Sequence, residues 1–174
     1  NNKRINKFIK FRRPKKYSTD QSPTLDAVNH AIEWSIKNLS KPDYVCCIYA
    51  CSPLIEYKNI ISGYNKIKSN KWNFVTSATK YHYPIERSFK INKEHSISMN
   101  FPENYFKNSQ LFTDNYHDAG QFYWGTINAW LKKKKFFDKN STIQKIDSSR
   151  VVDIDTHEDW KKAQLIFRNL KNGK

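Results

Sequence analysis

The stretch RVVDIDTHEDW, residues 150–160, sets two aspartates one position apart just ahead of a helix-like pattern. In a strand, positions i and i+2 point to the same face, so Asp153 and Asp155 would project side by side while Val152 and Ile154 turn into a core. Two carboxylates on one face repel unless a cation or hydrogen-bond donors lie between them. Two chemistries are open to the pair. It can hold a divalent cation, since Mg²⁺ takes one or two carboxylates and fills its remaining positions with phosphate and water. Alternatively, Asp155 or Thr156 caps the helix that follows.

The other reactive residue types give weaker patterns. Cys46, Cys47 and Cys51 cluster in VCCIYACSPL. In a strand Cys46 and Cys47 face opposite sides and cannot chelate one metal, and no second Cys/His cluster at zinc spacing exists. They read as small buried apolar residues in a reducing compartment. Cys51 as a catalytic nucleophile lacks a placed base.

A net charge of +15, from 31 Lys+Arg against 16 Asp+Glu, favours anionic partners: nucleic acid, nucleotides or acidic sugars. The basic residues are mostly lysine and run along the whole chain, with one block at Lys132–Lys135. No zinc-finger spacing, RNP-like strand or basic heptad helix accompanies them. A basic nucleic-acid-binding module therefore stands as the reading from another class, beside a lysine-rich surface without that role. The 174 residues suffice for one domain with a real core. No run approaches the roughly 18 apolar residues of a membrane span and no secretory leader is visible, so the expected location is the cytoplasm, without membrane.

The elements that must position these residues alternate. KFIKFRRP reads as a strand ending at Pro14. SPTLDAVNHAIEWSIKNL reads as a helix, with Leu25, Val28, Ala31, Ile32, Ser35 and Leu39 near helical spacing and Pro23 at its start. DYVCCIYA is a continuous apolar run of the kind covered on both faces. PLIEYKNIISGYNKIKS supplies a second helix and WNFVTSATK another strand. Between about residues 80 and 116 this order gives way to short β-like pieces and exposed aromatics, the composition of an inserted arm. GQFYWG then reads as an aromatic strand, TINAWLKKKKFF as a helix, TIQKIDSSRVVDID as a last strand region and THEDWKKAQLIFRNLK as a closing helix. Strand–helix alternation predicts a layered α/β domain.

Several stretches together resemble one family, the cytidylyltransferases that activate nine-carbon ulosonic acids with CTP, and above all its pseudaminic acid branch. They are FRRPKKYSTDQSPT (11–24), HAIEW (30–34), CCIYACSPL (46–54), YPIERSF (83–89), YHDAGQFYWG (116–125) and VVDIDTHEDWKKA (151–163). The sialic and legionaminic acid relatives perform the same chemistry on other stereoisomers. The resemblance implies a three-layer α/β/α, nucleotide-diphospho-sugar transferase-like (Rossmann-like) fold across residues 1–174, with a small β-rich arm at 80–116 through which homodimers form. It implies attack of the sugar's anomeric hydroxyl on the α-phosphorus of CTP, pyrophosphate leaving, in service of surface or flagellar glycosylation.

Residue by residue, Asp153 and Asp155 match the family's Mg²⁺-binding aspartates. Arg13 matches the arginine beside cytosine, and Ser22 and Thr24 fall on base and ribose positions; pairing of Arg13 with Asp20 is the structural alternative. Tyr49, Ser52, Gln121 and Tyr123 fall on sugar-facing positions. Arg87 and His117 are candidates for the sugar carboxylate or phosphate, His117 equally for a loop-bonding structural role. Phe122 and Trp124 are expected in the core. The family's Pro-Ala-Arg-Gly-Gly-Ser-Lys-type phosphate loop has no counterpart here. The expectation is an N-terminally truncated chain that turns over little CTP alone.

Overall fold

The computed structural model describes residues 11–19 and 21–172, a mixed α/β arrangement of strands and helices. Four strands form one sheet in the order β1 (Tyr44–Ile48), β5 (Tyr116–Thr126), β2 (Phe74–Lys80), β6 (Ser141–Lys145). The helices are α1 (Thr24–Asn38), α2 (Tyr57–Ile67), α3 (Ile127–Leu131) and α4 (His157–Asn172). Of the expected first strand KFIKFRRP, residues 7–10 lie outside the described residues and residues 11–14 carry no strand.

The fully covered strand is β2, in which Phe74 through Thr79 are all buried. The CCIY strand was expected to fill that role and does not. Among the described residues β1 is outermost in the sheet, and Ile48 at its end is 52% exposed. An apolar run alone cannot distinguish an interior strand from an outer one.

The chain divides into two compact units. One comprises residues 1–47, 64–75 and 123–142. In it α1 begins directly after Pro23, whose fixed backbone suits a helix start. Ile32 is buried and α1 packs against α3, with Asp26 on its first turn paired to Lys133. Phe74, Trp130 and Phe136 meet edge to face, and Tyr123 stacks on Phe136 at 4.8 Å. The Trp130 indole N–H donates to the Val45 carbonyl at 3.1 Å, satisfying the ring's polar end inside this cluster. Gly125 is a packing requirement: a Cβ there would stand 2.5 Å from Trp130 Nε1 and 2.6 Å from the Phe74 ring.

Helix α3 is shorter than TINAWLKKKKFF suggests. Thr126 caps it by accepting from the Ala129 N–H, and it ends after five residues. Lys133 has φ 48°, in the left-handed region, so the lysine run lies beyond the helix.

The second unit comprises residues 48–63, 76–122 and 143–174. Its arm holds the antiparallel pair β3 (Phe89–Ile91) and β4 (Ile97–Met99), with Ile91 opposite Ile97, followed by single 3₁₀ turns. Between about residues 80 and 116 apolar side chains lie in solvent, Phe106 at 95% exposure most of all. The region after β6 departs from expectation. Asp147 caps a 3₁₀ turn at Ser148–Arg150, and residues 151–154 carry no ladder pairing. Asp153 and Asp155 therefore do not share a strand face.

Candidate functional site

The residues after β1 converge on the first half of β5. Gly120 adopts φ +60°, a conformation natural to glycine, and its N–H donates to Asp118 Oδ1 at 3.0 Å. The buried Ser52 hydroxyl donates to the Gly120 carbonyl at 3.2 Å, and the Tyr49 N–H donates to the Gln121 carbonyl at 3.0 Å. From β2, the Ser77 hydroxyl oxygen accepts from the N–H groups of both Gln121 and Phe122 at 3.1 Å. Three predicted sugar residues, Tyr49, Ser52 and Gln121, are thus brought together on one backbone frame.

Gln121 also links this frame to the aspartate stretch. Its side-chain Nε2 donates to the Arg150 carbonyl at 2.7 Å, and Arg150 pairs with Glu56 at 3.2 Å. The other amide atom, Oε1, is buried without a hydrogen-bond partner. A buried acceptor left unsatisfied costs about 1–3 kcal/mol, which marks Gln121 as able to receive a donor from a ligand.

A cleft of about 460 Å³ opens beside this frame, lined by His117, Gly120, Val152, Asp153, Asp159 and Lys162 among others. His117 Nδ1 lies 2.9 Å from the Asp118 carbonyl, which fixes Nδ1 as the donor, and its ring leans on Tyr81 at 4.8 Å. The loop-bonding role expected as one alternative for His117 is therefore present, on a residue that also lines the cleft. Asp155 does not line it.

The capping alternative for Asp155 is resolved by geometry. Thr156 Oγ1 accepts from the Asp159 N–H at 3.2 Å, while Asp159 Oδ2 accepts from the Thr156 N–H at 2.9 Å. This reciprocal pair is a capping box, and it closes α4 without the Asp155 side chain. The hydroxyl and N–H of Thr156 hold the Asp159 carboxyl below its ordinary range. The signal for it in the sequence is the Thr156–Asp159 spacing ahead of an amphipathic run.

Asp153 and Asp155 are both exposed, and neither carboxylate accepts a hydrogen bond from another described residue. Among the described residues no group of three or more His, Cys, Asp or Glu forms a self-sufficient metal cage. Two exposed carboxylates are a donor set of the kind Mg²⁺ takes when water and a phosphate fill its other positions.

The predicted nucleotide residues lie in the other unit. Arg13 Nε donates to Ser18 Oγ at 3.1 Å, and the Ser22 hydroxyl accepts from the Thr19 N–H at 3.2 Å. Thr24 is the first residue of α1. Pairing of Arg13 with Asp20 lies outside the described residues.

Two predicted sugar residues are engaged elsewhere. Arg87 donates to the carbonyls of Tyr105 and Lys107, tying the arm to itself. Tyr123 is buried in the aromatic cluster with Phe136, the expected core residue Phe122 is buried too, and Trp124 is half-buried. The cysteines are free thiols; burial pushes Cys46 up to about 12, with Cys47 adding to it, and burial raises Cys47 too. Neither is poised as a thiolate.

No family model matches the chain. Two curated proteins from Campylobacter jejuni subsp. jejuni, of serotypes O:23/36 and O:2, are each 35% identical to it over 158 residues, 91% of this chain and 68% of theirs. Both are named pseudaminic acid cytidylyltransferase. A Helicobacter pylori protein named pseudaminic acid cytidylyltransferase and UDP-2,4-diacetamido-2,4,6-trideoxy-beta-L-altropyranose hydrolase is 27% identical over 143 residues, 82% of this chain and 27% of that protein.

Proposed function

The chain belongs to the pseudaminic acid cytidylyltransferase family, and from that membership we propose how its residues serve the CTP-dependent activation of pseudaminic acid to its CMP-sugar. The observation that carries the assignment is 35% identity across 91% of the chain. The enzyme class is nucleotidyltransferase.

Asp153 and Asp155 would hold Mg²⁺, and their exposed carboxylates support that reading. When bound, the ion offsets negative charge on the phosphoryl oxygens, the main obstacle to bringing an anionic sugar to a triphosphate. Gln121 orients the sugar through its unsatisfied Oε1, with the backbone frame of Tyr49, Ser52 and Gly120 behind it. Arg13, Ser22 and Thr24 contact the nucleotide; a guanidinium's rigid fork suits the cytosine carbonyl. His117, which lines the cleft, completes the substrate contacts of this reading, while Arg87 and Tyr123, engaged elsewhere, take no part in it.

Residues 1–174 act as one cytidylyltransferase domain, and the arm at 80–116 joins two copies through its exposed apolar side chains, Ile91, Ile97, Phe106 and Leu111. The enzyme works in the cytoplasm for surface or flagellar glycosylation, with neither nucleic acid nor membrane as partner. No helix among the described residues is long and apolar enough to cross a membrane.

The test is pyrophosphate release by the full-length protein with CTP and a panel of ulosonic acids. Turnover of pseudaminic acid well above N-acetylneuraminic and legionaminic acids is expected. Preference for either of the others would replace the sugar assignment, and salt-dependent binding of random DNA without turnover would favour the nucleic-acid reading.

A further inference from the structure

A second cleft, of about 290 Å³, adjoins the one lined by Asp153 and shares His117, Val151 and Lys162 with it. Its lining has the opposite chemistry. To the shared His117 and Lys162 the first adds Asp118, Asp153 and Asp159, whereas the second adds Lys80, His82 and Ser148, and no carboxylate among the described residues. Lys80 is paired with Asp114, which lies outside this lining, while Lys162 is exposed.

Thr79 also lines the second cleft. It is 2% exposed, and its hydroxyl is buried without a hydrogen-bond partner. The neighbouring hydroxyl of Ser77 is by contrast fully engaged with β5. A buried hydroxyl left unpaired between ammonium and imidazole groups suits an anion that can accept from all of them.

We propose that this cleft is the subsite for the carboxylate of the ulosonic acid, with Thr79 and Lys162 as its specificity-determining contacts. The inference rests on the assigned reaction. In a 2-ulosonic acid the carboxyl carbon is bonded to the anomeric carbon that carries the attacking hydroxyl. The carboxylate must therefore lie next to the reacting centre. Adjoining clefts of opposite charge meet that demand: the acidic one takes the cation and the basic one the carboxylate.

The test uses the full-length protein, with calorimetric binding of pseudaminic acid and of its C1 methyl ester, which lacks the charge. Wild type should bind the acid about tenfold more tightly than the ester. Thr79→Val removes the hydroxyl at nearly constant shape, and Lys162→Met changes an exposed side chain, so at least the latter should fold normally. Each should weaken the acid by about fivefold or more while leaving the ester and the KM for CTP unchanged. Equal binding of acid and ester by wild type, or unaltered acid affinity in both variants, overturns the proposal. So does a change confined to CTP or inorganic pyrophosphate, which would make the cleft a phosphate site. If wild type neither binds nor turns over pseudaminic acid, the function assignment fails and the inference with it. If turnover is intact and only the discrimination is missing, the inference alone fails.

Discussion

Two stretches of the second unit meet at the candidate site, and they are built in opposite ways. Around Gly120 and Gln121 almost every backbone group is spoken for: Ser52, Tyr49 and Ser77 each fix one or two of them. Residues 151–155 have no ladder, and the two aspartates end in solvent. The first stretch spends its polar groups on shape. The second leaves charge uncommitted, as a ligand site must, because a carboxylate already satisfied by protein donors has little to offer a cation. Substitutions of the residues that hold the first stretch's backbone, such as Ser77, should therefore appear as lost stability, and those of the aspartates as lost activity.

The largest separation is expected at the aspartates. Asp153→Asn and Asp155→Asn should each lower pyrophosphate release on the order of 100-fold or more, since several kcal/mol of phosphoryl charge stabilisation is removed. Thermal melting should hold steady or rise slightly as two neighbouring charges lose their repulsion. Near-wild-type turnover by Asp155→Asn would remove that residue from the site, leaving Asp153 alone at the cleft.

Ser77→Ala should do the reverse. It strips the shared acceptor from two buried N–H groups and should cost about 2 kcal/mol in urea unfolding. Any loss of activity should track the unfolded fraction.

Thr156→Ala should cost about 1 kcal/mol by opening the capping box, while Thr156→Ser keeps it. If the cap were instead supplied by Asp155, Thr156→Ala would be neutral.

The smallest effect is a pH dependence. Folding holds the Asp159 carboxyl below its ordinary range, so its contribution is complete above the unfolded carboxylate's pKa and fades as pH falls through the lower folded value. Asp159→Asn should flatten that acid limb of the stability curve, lowering stability at neutral pH and converging on the wild type in acid.

Much of this was legible in residue order. The alternation of apolar runs located α1, α2, β2 and α4. Periodicity could not say that CCIY was outermost among the described residues or that FVTSAT was the covered strand, because covering depends on neighbours distant in sequence. The lysine run after Trp130 carried good helix formers, yet the left-handed backbone at Lys133 ends α3 before them. At the site, the motifs around Ser52, Gln121 and Asp153 were readable. Ser77 was not, since it matters through what the fold places opposite it. Arg87 shows the converse: a cation in a suggestive motif whose donors are taken by arm carbonyls.

The central claim, that the exposed aspartates are kept open for a cation, is tested most directly by cation binding itself. Water-proton relaxation with Mn²⁺ as the paramagnetic substitute for Mg²⁺, in the presence of CTP, should show binding to the full-length protein. That signal should vanish in Asp153→Asn while the melting temperature stays unchanged. Equal Mn²⁺ binding by wild type and Asp153→Asn would contradict the account.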